Sequence, residues 1–268
     1  MTWQTLDLRT DPRGVAWLTL NTPARRNVLS PQMIADLTEA AHSLGNDPAV
    51  RVVVLSGAGP VFCAGADLDW MAAQIDADRP RRLAEARKLA VMLRALNELP
   101  KPLVGRLHGG AFGGGVGMAC VCDVAVAAQG TRFCFSETRL GIIPATIGPY
   151  VLARMGEGRA RRVFMSARLF DAAEAEALGL IARAVDGTAL DAAVEAEIAP
   201  YLSCAPLAVG QAKALARALG PRIDDAVMED SIRRLADAWE GPEAGPGIRA
   251  FLEKRKPVYG QSGQGGQG

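Results

Sequence analysis

The stretch HGGAFGGGVGMACVCDVAVA, from His108 to Ala127, puts six glycines into its first ten residues, between apolar runs. Glycine gives up more backbone freedom on folding than any other residue, so this density weakens a segment unless something needs the bare backbone. Nucleotide loops are the first class to test. A dinucleotide fingerprint needs G-x-G-x-x-G, which no register of the stretch supplies. A P-loop needs Gly-Lys-Ser/Thr after its glycines, and Phe-Gly-Gly-Gly-Val has neither. Two readings stay open. Small residues let a helix pack tightly on a strand, and a run of glycines entering a helix leaves N–H groups unshielded to face a developing negative charge.

The rest of the chain narrows the setting. It has 268 residues, 49% hydrophobic and 22% charged, with a net charge of +1. That fits one large globular domain, or one domain with a small appendage. The balance gives no electrostatic case for nucleic acid or an anionic membrane as the main partner. No stretch reaches the ~18–20 apolar residues of a membrane span, and MTWQTLDLRTD carries no apolar signal region. Cys63, Cys120, Cys122, Cys134 and Cys204 lie in apolar surroundings and read as buried free thiols, pointing to a reducing, cytoplasmic location. With a CxC spacing and two histidines, no metal site is expected.

Strands and helices alternate along the first part of the chain. Gly14–Asn21 reads as a strand, Ser30 with Pro31 as the cap of a helix, and Val50–Gly57 as a strand apolar enough to lie mid-sheet. A helix with Asp67 near its cap, a long helix over Arg79–Glu98, a strand in KPLVGRLHG, a short helix over Val116–Cys122 and a strand over Asp123–Ala127 follow. This predicts an α/β architecture over residues 1–203. Asp171 and Glu174 form a capping-box-like start and Gly179 a stop. Residues 204–259 read as a helical region in which Met228, Ile232, Leu235 and Trp239 share one face. Residues 260–268, GQSGQGGQG from Gly260 on, can bury nothing and are expected to be disordered.

CAGAD, Cys63–Asp67, also follows a buried strand and enters a helix through small residues. Two such turns, each offering a bare N–H, suit an oxyanion or enolate pocket. FCFSETRLGIIP then sets Glu137 among apolar and small residues, where desolvation would raise its pKa toward the range useful for moving protons. A lone glutamate is more often a solvated surface charge; the two turns change those odds. No GxSxG elbow supports a serine nucleophile. His108 reads as a packed strand-end residue and His42 as a surface one.

Taken together, NTPARRNVLS (Asn21–Ser30), GPVFCAGADLDWM (Gly59–Met71), GGAFGGGVGMACVCDVAVA (Gly109–Ala127), FCFSETRLGIIP (Phe133–Pro144) and FLEKRKPVY (Phe251–Tyr259) resemble the crotonase, or enoyl-CoA hydratase/isomerase, superfamily over nearly the whole chain. The resemblance implies a spiral of ββα units with a C-terminal helical region, a homotrimer or dimer of trimers, and action on an acyl-CoA thioester. It implies no separate cofactor, since CoA belongs to the substrate. By position, Ala64 and Gly114 match the two oxyanion-hole donors, each contributing on the order of 2.7–4 kcal/mol in comparable sites. Glu137 matches the glutamate that exchanges a proton with substrate carbon. Gly113, Ala66, Asp67 and Leu68 match positions along the thioester and CoA path, and Arg25, Arg26, Lys254 and Lys256 match basic positions that meet CoA phosphates. For the two lysines, a solvated helix end competes evenly.

One departure matters. Family hydratases carry a first glutamate two residues past the glycine triplet, and here that position is Gly117. Hydration then falls to Glu137 alone or with a helper such as Asp69, while isomerisation of a 3-enoyl to a 2-enoyl thioester needs only one carboxylate. SETRLGIIPATIGPYVLARMGEGRARR resembles a subgroup that hydrates branched, 3-methylglutaconyl-type CoA esters in leucine or acyclic-terpene breakdown, with Arg139 a candidate for a second carboxylate. The expectation is an enoyl-CoA hydratase, with an isomerase as alternative and a non-catalytic acyl-CoA binder as a second alternative.

Overall fold

A computed structural model describes residues 2–259; the expected disorder of 260–268 falls outside that range. The elements are β1 (Leu6–Thr10), β2 (Val15–Leu20), α1 (Pro31–Asn46), β3 (Val52–Gly57), α2 (Leu68–Ile75), α3 (Arg79–Glu98), β4 (Leu103–Leu107), β5 (Gly110–Phe112) and α4 (Gly114–Val121). Then come β6 (Val124–Ala128), β7 (Arg132–Cys134), α5 (Gly148–Met155), α6 (Glu157–Phe164), β8 (Phe170–Asp171), α7 (Ala172–Ala177), β9 (Arg183–Val185), α8 (Leu190–Leu202), α9 (Pro206–Leu219), α10 (Asp225–Glu240) and α11 (Ala244–Leu252).

The larger sheet runs β1-β2-β3-β4-β6-β9, parallel except for the β1–β2 pair. Every residue of β3 is buried, as its unbroken apolar run predicts for a strand covered on both faces. The alternation is visible in the packing: Val52 and Val54 face α8 with Val15, Val104 and Val126, while Val53 and Leu55 face the main core with Leu18 and Leu20.

A second, smaller layer explains the spiral. β5 pairs in parallel with β7, and β7 antiparallel with β8. Isolated parallel bridges extend this layer, Leu29 to Ala66 and Cys63 to Ala111. Each turn thus passes from a strand of the large sheet to a short extended piece of the small one and then into a helix: β2, Leu29, α1; β3, Cys63–Ala66, α2; β4, β5, α4. This is the crotonase ββα spiral.

Local signals act as expected. Ser30 accepts from the Met33 N–H, Asp67 caps α2, and Asp171 accepts from the Glu174 N–H. The short helix α4 starts two residues before the predicted Val116, on the glycines themselves. Cys204 is exposed, unlike the other four cysteines, because it follows the end of α8. The C-terminal helices do not stand apart from the core. α10 and α11 pack on α2 and α3, sharing one apolar cluster in which Ile232, Leu235, Trp239 and Ile248 meet Met71, Ala86 and Ala90.

Candidate active site

Three loops of the small layer converge because buried polar groups tie them. Asn27 is fully buried with a left-handed backbone, φ 53°. Its Nδ2 donates to the carbonyls of Ala58, Val61 and Phe62 at 2.8, 3.0 and 3.2 Å, and its Oδ1 accepts from the Thr22 N–H at 3.0 Å. The N–H of Cys63 donates to Gly110 O, and that of Phe112 to Cys63 O, at 3.1 and 3.0 Å. The CAGAD turn is thereby locked beside the glycine loop. Burial pushes the Cys63 thiol up to about 12, so it stays protonated and inert.

The hydrogen bonds decide which N–H groups are left over. Ala64, expected as the first donor, gives its N–H to the Arg26 carbonyl at 3.0 Å. Gly113 likewise donates to Cys134 O at 2.9 Å. Leu29 N–H donates to Gly65 O at 2.8 Å, and the N–H of the next residue, the exposed Ala66, takes no part in that pairing. Among the described residues no acceptor is found for the N–H of Ala66 or of Gly114, the first residue of α4. Both residues line a cavity of about 70 Å³ together with Glu137.

Glu137 opens a short 3-10 turn, Glu137–Leu140, held from several sides. Thr138 Oγ1 donates to Met165 O, the Arg139 guanidinium to Ala167 O, and Tyr259 Oη to Arg139 O. Glu137 Oε2 is sealed from solvent and has no hydrogen-bond partner among the described residues. Burial pushes the carboxyl up to about 7, partly opposed by its own backbone N–H. Gly113 makes room for it: at φ 48°, a Cβ there would come within 2.9 Å of Glu137 Oε1.

Gly117 serves the other use of glycine. A Cβ on it would run into Cγ2 of Ile147 and stand 2.9 Å from that residue's Cβ, with Leu93 behind. The space a carboxylate would need is filled by apolar side chains.

A geometry with two unclaimed N–H groups and a buried carboxyl in one cavity is what the sequence motifs pointed to. The enoyl-CoA hydratase/isomerase family model matches residues 10–262. The chain belongs to the enoyl-CoA hydratase/isomerase family. An enoyl-CoA hydratase from Shewanella pealeana superposes with a TM-score of 0.79 at 34% identity, covering 96% of this chain and 97% of that one. One from Mycobacterium avium gives 0.81 at 33%, covering 96% and 99%. Enoyl-CoA hydratase AKT6-1 of Alternaria alternata is 31% identical over 248 residues, 91% of this chain and 80% of its own length.

The other residues expected from the family resemblance divide. Asp67 is buried at the cap of α2, and Arg25 ion-pairs with Asp67 and Asp69 at 2.7 and 2.8 Å. Leu68 is 45% exposed. Arg26, Lys254 and Lys256 are exposed, and none of the three lines the cavity. Asp69, the suggested helper, is 87% exposed and turned to Arg25. Sequence reasoning missed Trp70, Glu85, Thr146 and Trp239, which complete the enoyl-CoA hydratase/isomerase cavity from α2, α3, the loop before α5, and α10. No group of His, Cys, Asp and Glu among the described residues is arranged to hold a metal ion, and no helix among them is long and apolar enough to cross a membrane.

Proposed function

We propose that the protein hydrates a 2-enoyl-CoA thioester with a neutral acyl chain. The observation that carries this reading is the Glu137 carboxyl, poised near neutrality with its Oε2 unpartnered among the described residues, in one cavity with the free N–H groups of Ala66 and Gly114. The two N–H groups receive the thioester oxygen as it becomes an enolate, and Glu137 delivers a proton to the carbon next to the thioester. Reassigning the first donor from Ala64 to Ala66 follows from the bond that occupies Ala64. CoA enters as part of the substrate, so the reaction needs no separate cofactor.

The lining argues against a second carboxylate on the acyl group. No Lys or Arg among the described residues lines the cavity, and Arg139 is turned to the Ala167 carbonyl. A 3-methylglutaconyl thioester would place an unpaired anion beside Glu137, which is costly in a desolvated site. Neutral straight or branched chains fit the apolar walls of Leu29, Ile34, Leu89 and Ile142.

Isomerisation of a 3-enoyl to a 2-enoyl thioester is the second reading, favoured by the closed position at Gly117. A non-catalytic acyl-CoA binder would have no use for the sealed, unpartnered Oε2 of Glu137. Mass spectrometry of products from 2-enoyl-, 3-enoyl- and 3-methylglutaconyl-CoA, with Glu137→Gln as control, separates them. The hydratase gives a product one water heavier from the neutral 2-enoyl substrate, lost in the control. Double-bond migration without a mass change makes it an isomerase, and binding without turnover makes it a binder.

Self-association is also proposed, through α9. None of its residues is buried, and Leu207, Leu215 and Leu219 are 76%, 60% and 80% exposed. A cleft of about 800 Å³ with Tyr201, Lys213, Arg217 and Ile223 in its walls lies along it. A second copy of the chain covers this face in a trimer or a dimer of trimers.

A further inference from the structure

We propose that Glu85 is the water-activating base of this site, supplying from α3 the carboxylate that position 117 lacks. The assignment rests on the hydratase reading above. Among the described residues that line the cavity, Glu85 and Glu137 are the two carboxylates, and they come from different elements, α3 and the turn at Glu137–Leu140. The Glu85 side chain is 18% exposed and held by two donors. Trp70 Nε1–H donates to its Oε2 at 3.1 Å, and Lys88 Nζ donates to its Oε1 at 2.6 Å. A carboxylate has about four acceptor sites, so these bonds fix the group and still leave capacity for a water O–H. Trp70 is itself braced edge-to-face against Trp239, with ring centroids 6.2 Å apart, so the donor that orients Glu85 is packed in place.

The other acidic side chains near the site are committed. Asp67 caps α2 and pairs with Arg25, Asp69 faces solvent, and Gly117 has no room for a side chain. The two cavity carboxyls also differ in character. Burial raises Glu85, but the hydrogen bonds from Lys88 and Trp70 and the charges of Lys88 and Arg81 outweigh it and hold the group below its ordinary value. Glu137 sits near neutrality. Two carboxyls whose surroundings push them apart divide into a base and an acid.

The step balances with water as the one co-reactant. Glu85 carboxylate takes a proton from water as the water oxygen forms a bond to C3. The π pair of the C2=C3 bond moves into the enolate, whose oxygen rests on Ala66 and Gly114 N–H, and then takes the proton of the Glu137 carboxylic acid at C2. The products are the 3-hydroxyacyl thioester, Glu85 protonated and Glu137 ionised. Exchange with solvent resets both groups.

The test compares hydration with exchange at C2, which needs the enolate pocket and Glu137 but no attacking water. Hydration is followed on crotonyl-CoA, or on the panel member hydrated fastest. Exchange is followed as deuterium uptake into butyryl-CoA in D2O. Glu85→Gln keeps the size of the side chain and an acceptor for Trp70. It should lower the hydration kcat at least 100-fold, within the range of general acid–base catalysis, while C2 exchange stays within threefold. Retained exchange also shows that the variant is folded. Hydration within threefold of wild type overturns the Glu85 assignment alone, as does a parallel fall in both rates, which would mark a positioning role. A wild-type protein that exchanges but does not hydrate overturns the hydratase reading together with it.

Discussion

A carboxylate oxygen sealed from solvent with no partner among the described residues, as Glu137 Oε2 is, is a defect by the standards of folding and an asset by those of proton transfer. Glu137 titrates near 7 when folded, against an ordinary value of 4.5, because burial disfavours its charge. The folded state therefore binds its proton more tightly than the unfolded chain, and stability falls as pH rises from about 4.5 to about 7. Glu137→Gln removes that loss. Chemical denaturation should find the variant more stable than wild type at pH 8, by on the order of 2–3 kcal/mol, with the difference vanishing near pH 4. Equal stability at both pH values would mean that the carboxyl is not desolvated. Glu137 was legible because it lies among apolar and small residues in a chain that also carries two glycine- and alanine-rich turns. Ala66 was not distinguishable from Ala64 in a turn of small residues, since only the pairing of Leu29 with Gly65 and of Ala64 with Arg26 shows which N–H remains free. Glu85 was hidden for a different reason. On a helix as charged as RRLAEARK it reads as one more solvated residue, and nothing local says that Trp70 of α2 holds it in the cavity wall.

At the scale of elements, the sequence shows strands and caps well because period-two burial and capping chemistry are local. The partners that hold the loops together are separated along the chain. Asn27 is the clearest case, joining its own loop to the carbonyls of Ala58, Val61 and Phe62. Asn27→Ala leaves buried carbonyls unpaired, and unfolding in urea should show a loss of about 1–3 kcal/mol. The kcat of the proposed hydration should fall further than substrate affinity, because the CAGAD turn carries Ala66. A loss below 0.5 kcal/mol with unchanged kcat would show that these loops are positioned by other contacts.

For the molecule as a whole, the ββα spiral brings backbone from successive turns to one point, and the C-terminal helices close over it. The helical character of residues 204–259 was readable from spacing, but their role was not: Leu235 and Trp239 of α10 form part of the cavity wall. α9 differs, being held to its own core by polar ties such as Lys213 to Asp123 at 2.7 Å and Arg217 to Glu98 at 2.6 Å while its leucines face out. Light scattering should give three or six times the chain mass of 28.2 kDa. The double variant Leu215→Ser, Leu219→Ser should shift it toward the single chain. A wild-type protein of single-chain mass at micromolar concentration would rule out α9 as an interface between copies.

In the proposed mechanism Glu137 moves a proton at the carbon beside a thioester whose oxygen rests on Ala66 and Gly114. Deuterium uptake at C2 of butyryl-CoA, followed by mass spectrometry from pH 5.5 to 8.5, tests it most directly. The rate should rise through a midpoint near 7 as Glu137 ionises, and Glu137→Gln should abolish it. Uptake that is independent of pH, or that survives in Glu137→Gln, would mean that Glu137 is not the group that moves this proton.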